Sequence, residues 1–241
     1  MTSIKFGNRV SEKIMYLSYD EQTITDFGKE NIEAMYARGY VFTRKGKGVM
    51  QHTRSVRIDL SKFELSSENR RILRQIQDLT LNIKHLPFAD YDWQVGKLAK
   101  DFYDKFGDKT FSANKIKELL TDPNKSNFNT LLVYSLSGPS AKLGYCIAYA
   151  SKNILHYSYP FYSLGGLTPK DMGLGMMIRA IVWAKEKGKE YVYLGSASRP
   201  SDTYKLQFTG VEWFTLSEVE GLGIGGWSPD LDKLKQELKN A

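Results

Sequence analysis

Within five residues, Tyr204-Lys205-x-Gln207-Phe208 sets a phenol, an ammonium and a carboxamide side by side. A lysine in that position can hold a phosphate or a ribose-linked oxygen, and a tyrosine hydroxyl can donate to a leaving group. Tyr159 and Tyr162 stand on one aromatic stretch, and alternation along one face of a strand would aim both at the same place. Each of these tyrosines equally fits a core aromatic with a satisfied hydroxyl. Lys170-x-x-Gly173-x-Gly175 opens an amphipathic segment. Its glycines would let first-turn amides approach an anion with no Cβ in the way. Together these groups suit an anionic donor and an assisted leaving group.

Other chemistries find little in the chain. His52, His85 and His156 stand apart, with no cysteine or carboxylate at ligand spacing, so no metal centre is expected. The single cysteine, Cys146, lies in the apolar run LGYCIAYA and reads as a small buried hydrophobe. No Gly-x-Ser-x-Gly elbow is present, which argues against serine hydrolysis. No apolar run approaches the roughly 20 residues that span a bilayer, and MTSIKFGNRVSEKIM lacks a secretory apolar core. The expectation is a cytoplasmic protein without a membrane partner.

The positive charge is concentrated. Between Arg38 and Arg74 there are ten basic residues against three acidic ones, an excess equal to the whole chain's net charge of +7. A polyphosphate partner requires such a segment, although a solvated β-hairpin carrying ordinary lysines and arginines has the same composition.

The elements that must position these groups are legible from pattern. A strand is expected at about 13–18, then a helix at Lys29–Ala37 ending at Gly39. Tyr40–Thr43 and Val49–Leu60 read as paired strands around Lys45-Gly46-Lys47-Gly48. Ser66 or Ser67 can cap a helix through Arg70, Arg71 and Arg74, with Arg70 and Arg74 on one face. Helical stretches follow at Trp93–Phe106 and Ala113–Leu120. Asn129–Leu136 and Lys142–Ala150 flank Ser137-Gly138-Pro139-Ser140, a hairpin signal, and Leu155–Tyr162 is a further strand. Leu174, Met177, Ile178, Ile181 and Ala184 then recur at helical spacing up to Gly188. Tyr191–Leu194 suits a buried strand, and Ser196–Thr203 reads as a polar loop. Glu212–Leu216, a glycine-rich turn over Gly221–Gly226, and a helix from Pro229 capped by Ser228 close the chain. A soft boundary near residues 83–90 divides a basic amino-terminal α/β module, 1–85, from a mixed α/β module, 86–241.

Two families share these motifs. Lys170-x-x-Gly173-x-Gly175 resembles the acyl-CoA turn of the GNAT acetyltransferases, with lysine at the position usually held by glutamine or arginine. Tyr193-Leu194-Gly195 followed by Tyr204-Lys205-x-Gln207-Phe208 is more similar to the aminoacyl-tRNA–protein transferases, the arginyl and leucyl enzymes. Val56-Arg57-Ile58, Phe63, Ser66-x-x-Asn69-Arg70-Arg71 and Tyr159-x-Phe161-Tyr162 resemble further segments of that family, in the same order. There, Leu65 stands for a proline, Asn69 for a glutamine, and Ser163-Leu164 for an Asp-Pro.

Both resemblances imply an α+β fold with a GNAT-like mixed central sheet flanked by helices. The second implies transfer of an amino acid from aminoacyl-tRNA to a protein N-terminus, with an acidic acceptor residue. No cofactor is then needed beyond the tRNA co-substrate. On that reading Tyr204, Lys205, Tyr159 and Tyr162 serve the chemistry, while Arg57, Arg70, Arg71, Arg74, Gly195 and Gln207 bind tRNA or substrate. The alternative is an N-acetyltransferase whose acetyl-CoA phosphates lie on Lys170, Gly173 and Gly175. The Cys-x-x-Cys groupings common in the transferase family are missing, so no metal function carries over.

Overall fold

The computed structural model describes residues 18–107, 111–136, 142–166, 168–219 and 223–239. In chain order these form β1 (Asp20–Thr23), α1 (Lys29–Ala37), β2 (Tyr40–Phe42), β3 (Val49–His52) and β4 (Ser55–Asp59). Then come α2 (Ser67–Gln75), β5 (Leu79–His85), α3 (Trp93–Asp104), α4 (Ala113–Thr121), β6 (Thr130–Leu136) and β7 (Lys142–Ala150). The chain continues through β8 (Ile154–Tyr162), α5 (Met172–Glu186) and β9 (Tyr191–Ser196). A 3₁₀ segment (Pro200–Leu206), β10 (Val211–Val219), β11 (Gly223–Ser228) and α6 (Leu231–Lys239) complete it.

Eight strands make one sheet in the order β11-β10-β4-β9-β8-β7-β6-β5, and β1-β3-β2 make a small second sheet. Every neighbouring pair in the large sheet is antiparallel except β8 with β9, which are parallel and joined through α5. A parallel pair needs such a crossover, because its strand ends lie at opposite edges. The fold is α+β, a mixed sheet flanked by helices. Both sides of residue 85 contribute to the large sheet, β4 and β5 from before it and the other six strands from after.

Each sheet face buries its own apolar core. One face holds α2, α5 and α6 through Ile72, Ile76, Met176, Ile181 and Leu234. The other holds α1, α3, α4 and the small sheet through Tyr36, Phe42, Phe102, Ile116 and Leu120. The α2 cap is the one the sequence implies: Ser66 Oγ accepts from Asn69 N, and Asn69 Oδ1 accepts in return from Ser66 N.

Several expectations need correction. Val49–Leu60 is not one strand: the chain breaks at Thr53-Arg54 and crosses from the small sheet to the large one. Ala197 N donates to Arg54 O, and Thr53 Oγ1 is 2.8 Å from Ser196 Oγ, so the crossing is pinned to the end of β9. Leu79–His85, at the expected boundary, is an edge strand paired along its whole length with β6. Gly223–Gly226 lie in strand β11 rather than a turn, and 221–222 fall outside the described residues. The last helix starts at Leu231; Ser228 Oγ accepts from Asp230 N, and Asp230 Oδ1 takes the amide of Lys233. The expected loop Ser196–Thr203 begins in β9 and from Pro200 onward is 3₁₀ helix. Residues 13–17 of the first expected strand and the tip 137–140 of the hairpin lie outside the described residues.

Candidate functional site

The parallel pair is paired over three residues only, Ile154–His156 against Tyr191–Tyr193, and then β9 and β8 part. Beyond that point β9 follows its other neighbour, with Ser196 opposite Ser55 of β4. Gly195 sits at the parting with φ +75°, a left-handed conformation that side-chain-bearing residues rarely adopt. A Cβ placed there would have His156 Nε2 as its nearest neighbour, 3.9 Å away. The glycine therefore presents only backbone toward the buried His156 ring.

Polar groups from four elements meet around this point. His156 is buried, and its Nδ1 lies 2.8 Å from the Tyr36 hydroxyl of α1. Burial, reinforced by the Lys205 ammonium, pushes the imidazole down to about 3, so it is neutral near pH 7. Lys205 reaches in from the 3₁₀ segment, its Nζ donating to Ser196 O and lying 3.6 Å from Asp202 Oδ1. Burial lowers the Lys205 pKa, and Asp202 opposes that shift. Asp202 Oδ2 accepts from the amides of Ser198 and Arg199 at 2.9 and 3.0 Å. A carboxylate with two backbone donors and a lysine beside it fixes the corner after β9. Tyr204 next to it is 48 % exposed, while desolvation and then Asp202 raise its hydroxyl to about 12. It stays protonated, a hydrogen-bond donor and not a base.

Past the parting, β8 is walled by aromatics. Tyr159 lies between Phe111 and Phe128, with ring centroids 5.0 and 5.4 Å away. The Arg44 guanidinium sits 4.0 Å from the centre of the Phe111 ring. The Tyr103 hydroxyl donates to Pro160 O at 2.8 Å. Tyr162 packs on the same core through Phe102, 4.6 Å away, and also reaches the opposite core, its hydroxyl lying over the start of α5.

The remaining expected residues are dispersed. Arg57 lies between the rings of Tyr191 and Trp227, 4.0 Å from each centre, and its Nε and Nη2 both donate to Glu212 Oε2. Its charge is turned into the fold, away from any external partner. Arg71 is paired with Glu68 and, at 3.5 Å, with Asp171. Arg70 and Arg74 are exposed on α2, although Arg70 Nη1 donates to Leu65 O. Gln207 is exposed and donates to Tyr204 O. Lys170 is exposed in the turn before α5.

The two glycines of that turn are filled from outside. A Cβ on Gly173 would stand 3.1 Å from the Tyr162 hydroxyl, and one on Gly175 would stand 2.6 Å from Ile76 Cδ1. Gly175 N already donates to Asp171 O within the helix ladder. Gly175 is small so that α2 can pack on α5, which corrects the expectation of an open amide there.

Of the expected residues, the fold brings Lys205 to Ser196 O beside Gly195, with Tyr204 next to Lys205 in the 3₁₀ segment and Tyr159 further along β8. The sequence reading missed His156, Asp202, Tyr36 and Arg44. Two signals were present: a histidine alternating with apolar residues in a buried strand needs a buried partner, and Asp202 precedes Lys205 by three residues. Among the described residues no cluster of histidine, cysteine or carboxylate side chains could hold a metal ion. Nor is any described helix long and apolar enough to cross a membrane.

No known family profile matches the sequence, and no curated protein matches it. Among solved structures, L-PGS from Bacillus licheniformis aligns at 15 % identity and TM-score 0.42, over 70 % of this chain and 52 % of that one. The C-terminal domain of a putative lysylphosphatidylglycerol synthetase from Agrobacterium fabrum aligns at 15 % and 0.44, over 60 % and 46 %. A GCN5-related glucosamine N-acetyltransferase region of a fungal β-N-acetylglucosaminidase aligns at 8 % and 0.44, over 79 % and 22 %. The chain spans about half the length of the first two structures.

Proposed function

We propose that this chain is a GNAT-like acyl-group transferase that moves an amino acid from aminoacyl-tRNA to the N-terminus of a protein or peptide. The observation that carries the reading is the parting of β8 and β9 beside Gly195. Near it lie one neutral imidazole and one buried lysine, with a protonated, half-exposed tyrosine next to that lysine in the 3₁₀ segment. An ester donor is already activated, so the protein need only hold an amine at the carbonyl and stabilise the oxyanion. No covalent intermediate is required, in keeping with a site that offers no activated nucleophile; Cys146 is buried and its thiol is pushed up by desolvation.

Roles follow from the geometry. Tyr204, protonated and half-exposed, donates to the departing ribose oxygen. Lys205 is tied to Ser196 O and Asp202, so it acts through its field and by shaping the corner, and it does not reach out to a phosphate. Arg70 and Arg74 stay exposed and supply backbone contacts to tRNA. Gln207, tied to Tyr204 O, holds the 3₁₀ segment in place. The acetyl-CoA alternative needs an open glycine turn at α5. The close approach of Tyr162 and Ile76 to that turn favours the charged-tRNA donor.

The test is to incubate the chain with arginyl-, leucyl- or lysyl-tRNA and a peptide beginning with Asp or Glu, and to weigh the product. One aminoacyl mass added to the peptide is the expected result. Phosphatidylglycerol vesicles belong among the acceptors offered, given the names of the structures above. Acetylation of the peptide from acetyl-CoA, with no gain from any aminoacyl-tRNA, would overturn the reading.

A further inference from the structure

A cavity of about 440 Å³ opens between the end of α1, the small sheet and the β10–β11 edge of the large sheet. Small-ligand sites run to roughly 300–1,000 Å³, so the volume suits one. Its wall is aromatic. Tyr40 stacks on His52 at 4.5 Å, Phe214 meets His52 edge to face at 4.9 Å, and Trp227 meets Phe214 likewise at 5.5 Å. All four rings border the cavity. Gly39, at φ +85°, lets the chain leave α1 directly over Phe214, since a Cβ there would stand 2.4 Å from its Cγ. Burial holds the His52 imidazole below its ordinary pKa, so this ring is neutral near pH 7.

Two polar features interrupt that wall. Arg38 is its one charged residue; the side chain is exposed, with the guanidinium 5.7 Å from the centre of the Tyr40 ring, and it makes no ion pair among the described residues. The last carbonyls of α1, which would repel an anion, are already taken. Arg38 N donates to Ala34 O and Met35 O, Gly39 N to Tyr36 O, and Trp227 Nε1 to Ala37 O. The second feature is backbone. The β10–β11 register jumps from Thr215 opposite Gly226 to Glu218 opposite Ile224, so Leu216, Ser217 and Gly225 stand outside the pairing. Such a bulge leaves main-chain groups without their ladder partners. Ser217 N turns to Thr215 Oγ1, while Leu216 and Gly225 lie on the cavity wall.

We propose that this cavity binds a nucleotide, with its base among the four rings, the polar edge of the base at the Leu216–Gly225 backbone and its phosphate at Arg38. Aromatic rings take a base through its π-system, main-chain groups read its edge, and a free guanidinium takes the phosphate. A nucleotide carries all three of these parts in one molecule. The site goes beyond the transferase reading and stands without it, because its test reads binding alone. A free mononucleotide and the exposed end of an RNA strand share this chemistry.

The test is to titrate the full chain with AMP and follow tryptophan fluorescence. Saturable binding is expected. Adenosine, which lacks the phosphate, should bind about five- to tenfold more weakly, as the loss of one charge-assisted contact at an exposed arginine does. Arg38→Gln should weaken AMP by the same factor and leave adenosine unchanged, a pattern that general loss of structure does not give. Leu216→Glu, at an exposed position, sets a carboxylate on the wall and should weaken AMP at least about tenfold with the unfolding midpoint unchanged. Competition then separates the sources. An RNA oligonucleotide that displaces AMP only while its 3′ nucleotide is present identifies a strand end, and one that fails to displace AMP identifies the free nucleotide. Absence of saturable AMP binding overturns the proposal, as do equal affinities for AMP and adenosine. Benzoate binding as tightly as AMP would replace the nucleotide with a simple aromatic carboxylate.

Discussion

Gly175 and Gly195 lie twenty residues apart and serve opposite ends. At Gly175 the missing Cβ is claimed by Ile76 of the neighbouring helix, and the result is apolar contact between α2 and α5. At Gly195 the glycine is there for its left-handed backbone, φ +75°; a Cβ would only touch His156 Nε2 at 3.9 Å, and the surroundings are polar: Lys205, Asp202, Ser196 and Ser198. One glycine serves packing and the other backbone conformation. In the sequence they are equivalent, each a small residue near a cation; only their neighbours across the fold tell them apart.

If the Gly195 corner is held by charge, its ion pair is the most sensitive point. Asp202→Ala strips the carboxylate from buried Lys205 and from two backbone amides. It should cost about 3–5 kcal/mol in urea unfolding, as breaking a buried pair does. A loss below about 1 kcal/mol would mean that the corner is held by packing after all.

The imidazole gives the next effect. The folded-state pKa of His156, about 3, lies below the ordinary 6.5. Between those values the unfolded chain binds a proton that the folded chain refuses. The stability tied to neutral His156 is therefore present above pH 6.5 and is lost as pH falls toward 3. At about 1.4 kcal/mol per unit, stability should drop by about 2 kcal/mol between pH 6.5 and 5. His52, also lowered by burial, adds to the same trend, and His156→Gln should flatten most of it.

The glycines themselves sharpen the contrast. Gly195→Ala forces alanine into a left-handed backbone and should cost about 1–2 kcal/mol, unrelieved by any neighbour's substitution. For Gly175→Ala, helix propensity gains about 1 kcal/mol, while overpacking against Ile76 costs about 1–3 kcal/mol. The net is a small loss that shrinks in an Ile76→Val background, where Cδ1 is gone. Alanine stabilising the parent chain at 175 would show that the α2–α5 contact is loose. The smallest effect belongs to Arg70→Ala/Arg74→Ala. It should leave stability within about 0.5 kcal/mol and reduce the salt dependence of tRNA binding by about one unit for each arginine that touches a phosphate.

Local elements were legible where the chain declares them locally. The capping box at Ser66–Asn69, the helix α5 and its stop at Gly188, and the strands β6, β7 and β8 all rest on signals a few residues apart. Arg57 shows the limit. Its place in a Val-Arg-Ile strand reads as an exposed cation, but Glu212, Tyr191 and Trp227 arrive from 134 to 170 residues away and enclose it. His156 is the converse, a residue that seemed isolated until Tyr36 met it across 120 positions.

By itself the sequence determined the α+β character, most element boundaries and the presence of a lysine and a tyrosine just beyond β9. Those depend on periodicity, capping and turn chemistry, which act between neighbours along the chain. Only the tertiary structure decided which strands pair in parallel, where that pair parts, and which glycine is pressed by a neighbour and which is needed for its backbone. Strand pairing and side-chain enclosure depend on contacts between residues far apart, and no local pattern encodes which of many apolar faces will meet.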